Sequence, residues 1–226
     1  MAWFKSYLKK HWKDRNRSHK AELRKTFHTE IMSVIYKLPT MPTCKFANQK
    51  RNIINIEMIR LRDATIADLP LLNHWDEQPH NIQADPNDDW EWETELLRNP
   101  EWRKQLMAEL DGRPIGFLQI IDPALEETHY WGQIPENLMA IDIWIGEKED
   151  LGKGYGTVMM QLALERCFAN PAVTAVIIDP LQSNVRARKF YERIGFEFVE
   201  NRQFGDDPCA VYCMTREVWA GISGLK

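Results

Sequence analysis

The sequence predicts an α/β fold, a mixed β-sheet with helices on both faces. Three features carry that prediction. Runs with strand alternation open the folded part of the chain near Ile59. From Leu138 onward, strand-like and helix-like stretches alternate, the order that builds βαβ units. The 226 residues are 44% hydrophobic and 27% charged, ordinary globular composition and enough chain for one domain, or for one domain plus an arm.

Taken in order, "MIRLRDAT" (58–65) alternates apolar and polar residues and reads as a strand. "TIADLPLLNHW" (65–75) has Thr65 or Asp68 as a cap and an apolar helical stripe. "NPEWRKQLMAEL" (99–110) reads as a second helical segment that ends at the turn "DGRP". "PIGFLQIID" then reads as a strand, and "LMAIDIWIG" as a more deeply buried one. After a glycine-rich turn, "GTVMMQLALERCFAN" runs helically, "AVTAVIID" is a strand, and "SNVRARKFYERIG" is a helix stopped by Gly195. "FEFVEN" and "PCAVYCMTR" are closing strands. This body contains no internal repeat and no low-complexity segment.

Charge divides the chain in two. Residues 1–50 hold twelve Lys/Arg against three Asp/Glu, which leaves seventeen against thirty in the rest. Residues 1–57 therefore read as a basic N-terminal extension, disordered or helical, before a domain spanning 58–226; an internal start at Met58 fits that boundary. The acidic body argues against nucleic acid as a partner. No apolar run approaches the ~20 residues of a membrane helix, and lysines interrupt the N-terminus where a signal peptide would be apolar. Cys44, Cys167, Cys209 and Cys213 form no CxxC pair and lack histidines at zinc spacing, so free thiols and no metal are expected. A reduced, cytoplasmic setting suits them.

The segment "EDLGKGYGT" (149–157) lacks the GxxxxGK[ST] of a mononucleotide loop and the GxGxxG of a dinucleotide fold. A strand, a glycine turn and a helix N-terminus nevertheless present backbone N–H groups and the positive helix end to an anion, most naturally a pyrophosphate. Downstream, "DPLQSNVRARKFYERIGFEFV" sets Asn184 before a helix, then Tyr191, then Gly195 and Phe196 leading into a strand.

These two motifs, in this order, resemble the GNAT acetyltransferase superfamily. The likeness is carried by Gly154, Gly156, Asn184, Ala187, Tyr191, Gly195 and Phe196, and departs at Leu151, where the family often has Gln or Arg. Over 58–219 the chain is most similar to the aminoglycoside 6'-N-acetyltransferase branch, in "LGKGYGT", in the stretch from Asn170 to Glu197, and in "DPCAVYCM". Siderophore-type acyltransferases, which act on hydroxylysine-like amines, share much of the pattern.

The resemblance implies a mostly antiparallel sheet whose central parallel strands splay apart around acetyl-CoA, the co-substrate. The coenzyme is expected along Ile143, Trp144 and Ile145, over Leu151, Gly152, Lys153, Gly154, Tyr155, Gly156 and Thr157, and near Asn184 and Arg188. By the same resemblance Tyr191 faces the coenzyme sulfur as the acid. Asp179 and Asp207 face the acceptor, with Asp206 a competitor for the latter place. Glu127 occupies an acidic position before an aromatic pair, in "ETHYW", with His129 as the alternative polar group.

Asp142 stands out on residue chemistry alone, because it interrupts an apolar strand where a carboxylate is costly unless it faces a cavity or is paired. Its functional reading is the base that accepts the proton of the acceptor ammonium; its structural reading is a carboxylate capping a neighbouring turn. The segment "HWDEQPHNIQADPNDDWEWETE" (74–95) interleaves acids with Trp75, Trp90 and Trp92. Such a surface, with Asp76, suits a polycation bearing sugar rings. The expected protein is thus an acetyl-CoA-dependent N-acetyltransferase for a cationic small-molecule amine, most specifically an aminoglycoside 6'-amine, working by direct transfer as a monomer or homodimer. The rivals are a hydroxylysine or other small-amine acyltransferase and, in a different class, an acyl-CoA-binding scaffold. Asp142 and Tyr191 speak against the scaffold.

Overall fold

Among the described residues, seven strands form one sheet, and the one parallel pair among them sits near the centre. The computed structural model describes residues 59–87 and 90–224; the basic arm, Cys44, Met58, Asp88 and Asp89 lie outside them. The strands are β1 (Ile59–Asp63), β2 (Arg103–Leu110), β3 (Arg113–Ile121), β4 (Leu138–Ile145), β5 (Ala175–Ile178), β6 (Glu197–Phe204) and β7 (Asp207–Thr215). Their order is β1-β2-β3-β4-β5-β7-β6, and every neighbouring pair except β4–β5 is antiparallel. The expected mixed sheet is therefore present and mostly antiparallel.

The helices are α1 (Leu69–Asp76), α2 (Pro79–Ala84), α3 (Trp92–Glu95), α4 (Tyr155–Ala169), α5 (Val185–Ile194) and α6 (Arg216–Ser223). A 3-10 turn over Ile66–Asp68 precedes α1, and the Asp68 carboxylate accepts the Thr65 N–H at 2.8 Å, tying the helix entry together. One sheet face packs on α4, through Val158, Met159, Ala163 and Leu164, and on Trp219 of α6 and Tyr191 of α5. The opposite face carries two smaller cores. Leu72, Trp75 and Trp92 cover Met107 and Phe117 at one end. Trp131 and Phe204 cover Leu138, Ala175, Ile177 and Val211 at the other. Helices thus lie on both faces, and a gap on the second face separates its two cores.

One expected element is different. Residues 103–110 form a strand rather than the helix read from "NPEWRKQLMAEL". Tertiary pairing overrides local pattern here: β2 pairs antiparallel with β1 on one side and β3 on the other. Its side chains alternate between cores, Leu106 and Ala108 to one face and Met107 to the other. The Asp111-Gly112 turn has φ of 52° and 81°, the left-handed pair that a two-residue hairpin requires, so "DGRP" joins two strands instead of ending a helix.

The central parallel strands part. β4 and β5 are paired only over Leu138–Ala140 and Ala175–Ile177. Beyond Ala140, β4 continues to Ile145 while β5 ends at Ile178. Among the described residues, no helix is long and apolar enough to cross a membrane.

Candidate functional site

A cleft of about 320 Å³ opens where the strands part, between the two cores of the second sheet face. Six carboxylates line it: Asp76, Asp85, Glu126, Asp142, Asp179 and Asp207. Among the described residues that line it there is no Lys, Arg or His. Their partners are mostly neutral donors. Asp76 Oδ2 accepts the Trp92 indole N–H at 2.5 Å, and Asp142 Oδ2 accepts the Gln119 amide at 2.6 Å. Asp179 Oδ2 accepts the Tyr130 hydroxyl at 2.6 Å, and Asp207 Oδ1 accepts the Asn87 amide at 2.8 Å. Glu126 accepts the backbone N–H groups of Thr128 and Tyr130 at 2.7 and 3.0 Å. Among the described lining residues the carboxylates thus find hydrogen-bond donors but no cationic side chain.

That environment holds protons on acids. Burial raises the Asp142 carboxyl above the ordinary carboxylate value, against the Gln119 hydrogen bond that lowers it. Asp179 is pushed well up, first by burial and then by the Asp142 charge, although Tyr130 donates to it. Asp207 is raised by burial. At the mouth, Asp85 is raised by the protein atoms around its carboxyl and by Asp207, an effect that solvent moderates because the residue is exposed. The Tyr191 phenol is raised by burial and then by Asp142 and Asp179.

Each expected acceptor-side residue now has a place. Asp142, Tyr191, Asp76, Trp90, Asp179 and Asp207 line the cleft together. Asp207 begins β7 buried, while Asp206 is exposed and outside. Trp90 stacks on Trp92 with centroids 5.0 Å apart and meets Trp144 at 4.9 Å, so one wall is aromatic. Trp75 does not line the cleft. It is fully buried against Gly146, where an added Cβ would overlap its indole ring, and donates to Glu147 Oε1 at 3.1 Å. Glu127 also lies outside, paired with Arg98 at 2.8 Å, and His129 is exposed with φ of 51°. Its neighbour Glu126 is the lining acid, turned inward by the hydrogen bonds of its own loop.

On the other side of the parting strands, Ile143 and Trp144 line the cleft, as do Asn184 and Ala187. Asn184 caps α5, its Oδ1 accepting the Ala187 N–H at 3.0 Å. Ile145 and Arg188 do not line it; Arg188 donates to the Tyr212 hydroxyl and the Gln182 carbonyl. The glycine turn, 151–154, feeds α4, with Gly152 and Gly154 at φ of 77° and 87°. Among the described residues, no acceptor within the protein takes the N–H groups of Gly152, Lys153, Gly154, Tyr155 and Gly156, whereas Thr157 bonds back to Gly154. Five successive free donors at a helix N-terminus make an anion seat. The Lys153 ammonium is not aimed at it, since Asp150 holds it at 3.0 Å. Arg113 grips the same buried Asp150 at 2.7 and 3.1 Å, bracing the turn against β3.

The described cysteines, Cys167, Cys209 and Cys213, are free and buried, and burial pushes Cys167 and Cys213 up to about 12. Such thiols are inert at neutral pH.

Residues 65–204 match the family model described as an acetyltransferase (GNAT) domain. The chain is 28% identical over 172 residues to aminoglycoside N(6')-acetyltransferase type 1 of Klebsiella pneumoniae, covering 72% of this chain and 86% of that protein. It is 25% identical over 168 residues to the lysine N-acyltransferase MbtK of Mycolicibacterium paratuberculosis, covering 68% and 72%. Among solved structures, the aminoglycoside acetyltransferase AAC(6')-Ib in complex with coenzyme A and kanamycin superposes with a TM-score of 0.65 at 28% identity, over 71% of this chain and 96% of that one.

Proposed function

The chain belongs to the GNAT acetyltransferase family, and on that premise we propose that it transfers the acetyl group of acetyl-CoA to a primary amine of a polycationic small molecule. The most specific form of this reading is aminoglycoside 6'-N-acetylation by direct transfer in a ternary complex. The observation that carries the acceptor class is the set of six carboxylates around one cleft, with no Lys, Arg or His among the described lining residues. A ligand with several ammonium groups complements that set of acids, and the half-buried Trp90, stacked on Trp92 in the cleft wall, offers a face to a sugar ring. The likeness to relatives whose names state aminoglycoside acetylation points the same way.

The protein fits the coenzyme through backbone. The free N–H groups of 152–156 suit a pyrophosphate, and the unpaired side of β4 beyond Ala140 suits an extended chain running along Ile143 and Trp144. When bound, the coenzyme supplies an acyl thioester. In this reading Asp142 takes a proton from the acceptor ammonium, and its burial-raised proton affinity makes it a better base than a surface carboxylate. Tyr191, kept protonated by burial, gives its proton to the sulfur as the C–S bond breaks and the C–N bond forms. As the amide forms the nitrogen sheds its second proton to solvent, and the Asp142 proton restores the phenol, so an ammonium and a thioester give an amide, a thiol and one released proton.

A coenzyme-release screen across aminoglycosides, polyamines, hydroxylysine and peptide amines tests this. The expected result is the highest kcat/KM for an acceptor with several ammonium groups, with one acetyl added. A clear preference for hydroxylysine or lysine would favour the second reading, which the likeness to a lysine N-acyltransferase supports. No turnover with any amine would leave an acyl-CoA-binding scaffold.

A further inference from the structure

We propose that Gln119 is the positioning residue of Asp142: its amide N–H fixes the carboxylate in the cleft and sets the pH range in which it works as a base. The inference rests on the base role given to Asp142 above. In the β3–β4 register Gln119 lies directly opposite Asp142, while the flanking pairs Leu118–Ile143 and Ile120–Ile141 are apolar and turn to the other face. Gln119 is 1% exposed, the one polar side chain between Ile115 and Ile121. Its Nε2 donates to Asp142 Oδ2 at 2.6 Å, and its Oε1 has no hydrogen-bond donor.

That combination is informative. A buried amide with an unpartnered carbonyl is less stable than an apolar side chain of the same volume, so packing alone favours Met or Leu at this position. The single interaction that Met cannot reproduce is the N–H to Asp142. Positions that break a folding preference without structural compensation tend to be functional.

The direction of its effect follows from charge. A donated N–H stabilises the ionised carboxylate and so opposes the upward push of burial on Asp142. The other titratable groups that face Asp142 are Asp85 beyond α2, Tyr130 in the loop after β3, Asp179 at the end of β5 and Tyr191 on α5. None of these four is a cation; the charge of Asp142 raises each of them, while burial is what raises Asp142 itself. Gln119 is the neutral donor that works against that burial. Losing it therefore raises the pH needed to ionise Asp142.

The test is the pH profile of kcat/KM for wild type, Gln119→Met and Gln119→Glu, each also in an Asp142→Asn background, with thermal melts beside them. Gln119→Met is expected to melt no lower than wild type and to keep the KM for acetyl-CoA. Its acid limb should move up by about one to two pH units, with activity at pH 7 down about tenfold. Gln119→Glu sets a second carboxyl against Asp142, so the two share a proton and the limb moves at least as far. Neither change should cost further activity once Asp142 is Asn. An unmoved acid limb in both variants, or a full additional loss on top of Asp142→Asn, overturns the proposal. Wild-type behaviour of Asp142→Asn would instead remove the base role itself. A limb that follows Asp142 but ignores Gln119 refutes the positioning alone.

Discussion

Burial acts at Tyr191 and Asp179 in the same direction with different consequences. The phenol is 7% exposed between Phe190 and Phe196, and its proton is held more tightly than in water. Tyr191→Phe keeps the ring packing and removes only the proton. We expect kcat to fall by about 10²-fold with the KM for acetyl-CoA unchanged; an unaltered kcat in steady-state assays removes the acid role. At Asp179 the raised carboxyl affects stability. The folded state binds the proton more tightly than the unfolded chain, where the value is about 3.9, so stability declines as pH rises through the folded value and stays reduced above it. Asp179→Asn can still accept from Tyr130 and carries no charge. It should raise the melting temperature at pH 7 and leave it nearly unchanged at pH 3; equal effects at both pH values refute the electrostatic account. These residues were legible because each sits inside a motif or interrupts an apolar run. Trp75 and Glu127 were placed differently because composition shows a surface but not its facing. A one-residue step at the Glu126 loop and a glycine at 146 decide which side chains turn inward. Gln119 gave a sequence signal of the same kind as Asp142, a polar residue inside "PIGFLQIID", and its meaning depends on the register that joins the two strands.

At the scale of elements, the turn before α4 is a device made of backbone. Gly154 is the N-cap of the helix in the left-handed region, and the N–H groups around it are free. Gly154→Ala forces a Cβ into that conformation at about 1–2 kcal/mol. The expected result is a melting temperature lower by a few degrees and a KM for acetyl-CoA raised about tenfold, with the amine KM unchanged. A variant that loses stability yet keeps its coenzyme KM would show that the turn matters only for folding. The strand-turn-helix order around this device was readable because glycine placement and apolar periodicity are local. β2 was not, because its strand identity comes from partners. Residues 103–110 gain both hydrogen-bonded neighbours only when β1 and β3 close on them. The local cue that does exist is Asp111-Gly112 between two apolar runs, a hairpin signal as much as a helix stop. Burial of Arg103 against Glu95, at 2.7 Å and both 2% exposed, is a further event that no local pattern announces.

Across the whole molecule, the sheet divides the work between its two faces. One face is a continuous core under α4, and the other is interrupted so that the parted strands become a cleft between two smaller cores. The charge of the chain divides as well, with a basic first fifty residues and an acidic remainder. Ile59, the first residue of the edge strand β1, is nevertheless 3% exposed in the main core and pairs with Leu110. The family match begins at residue 65, inside this body. On these grounds the catalytic unit is proposed to run from Met58 onward. A chain beginning at Met58 should therefore melt cooperatively within a few degrees of the full chain and keep its kcat for the best amine. With the basic residues gone, the cleft's field acts alone, so the KM for a polyamine acceptor should fall or hold at low salt and rise as the Debye length shrinks below ~10 Å. Loss of cooperative melting on truncation would show that the first 57 residues belong to the domain. A large drop in kcat with folding intact would place part of the acceptor site on the arm.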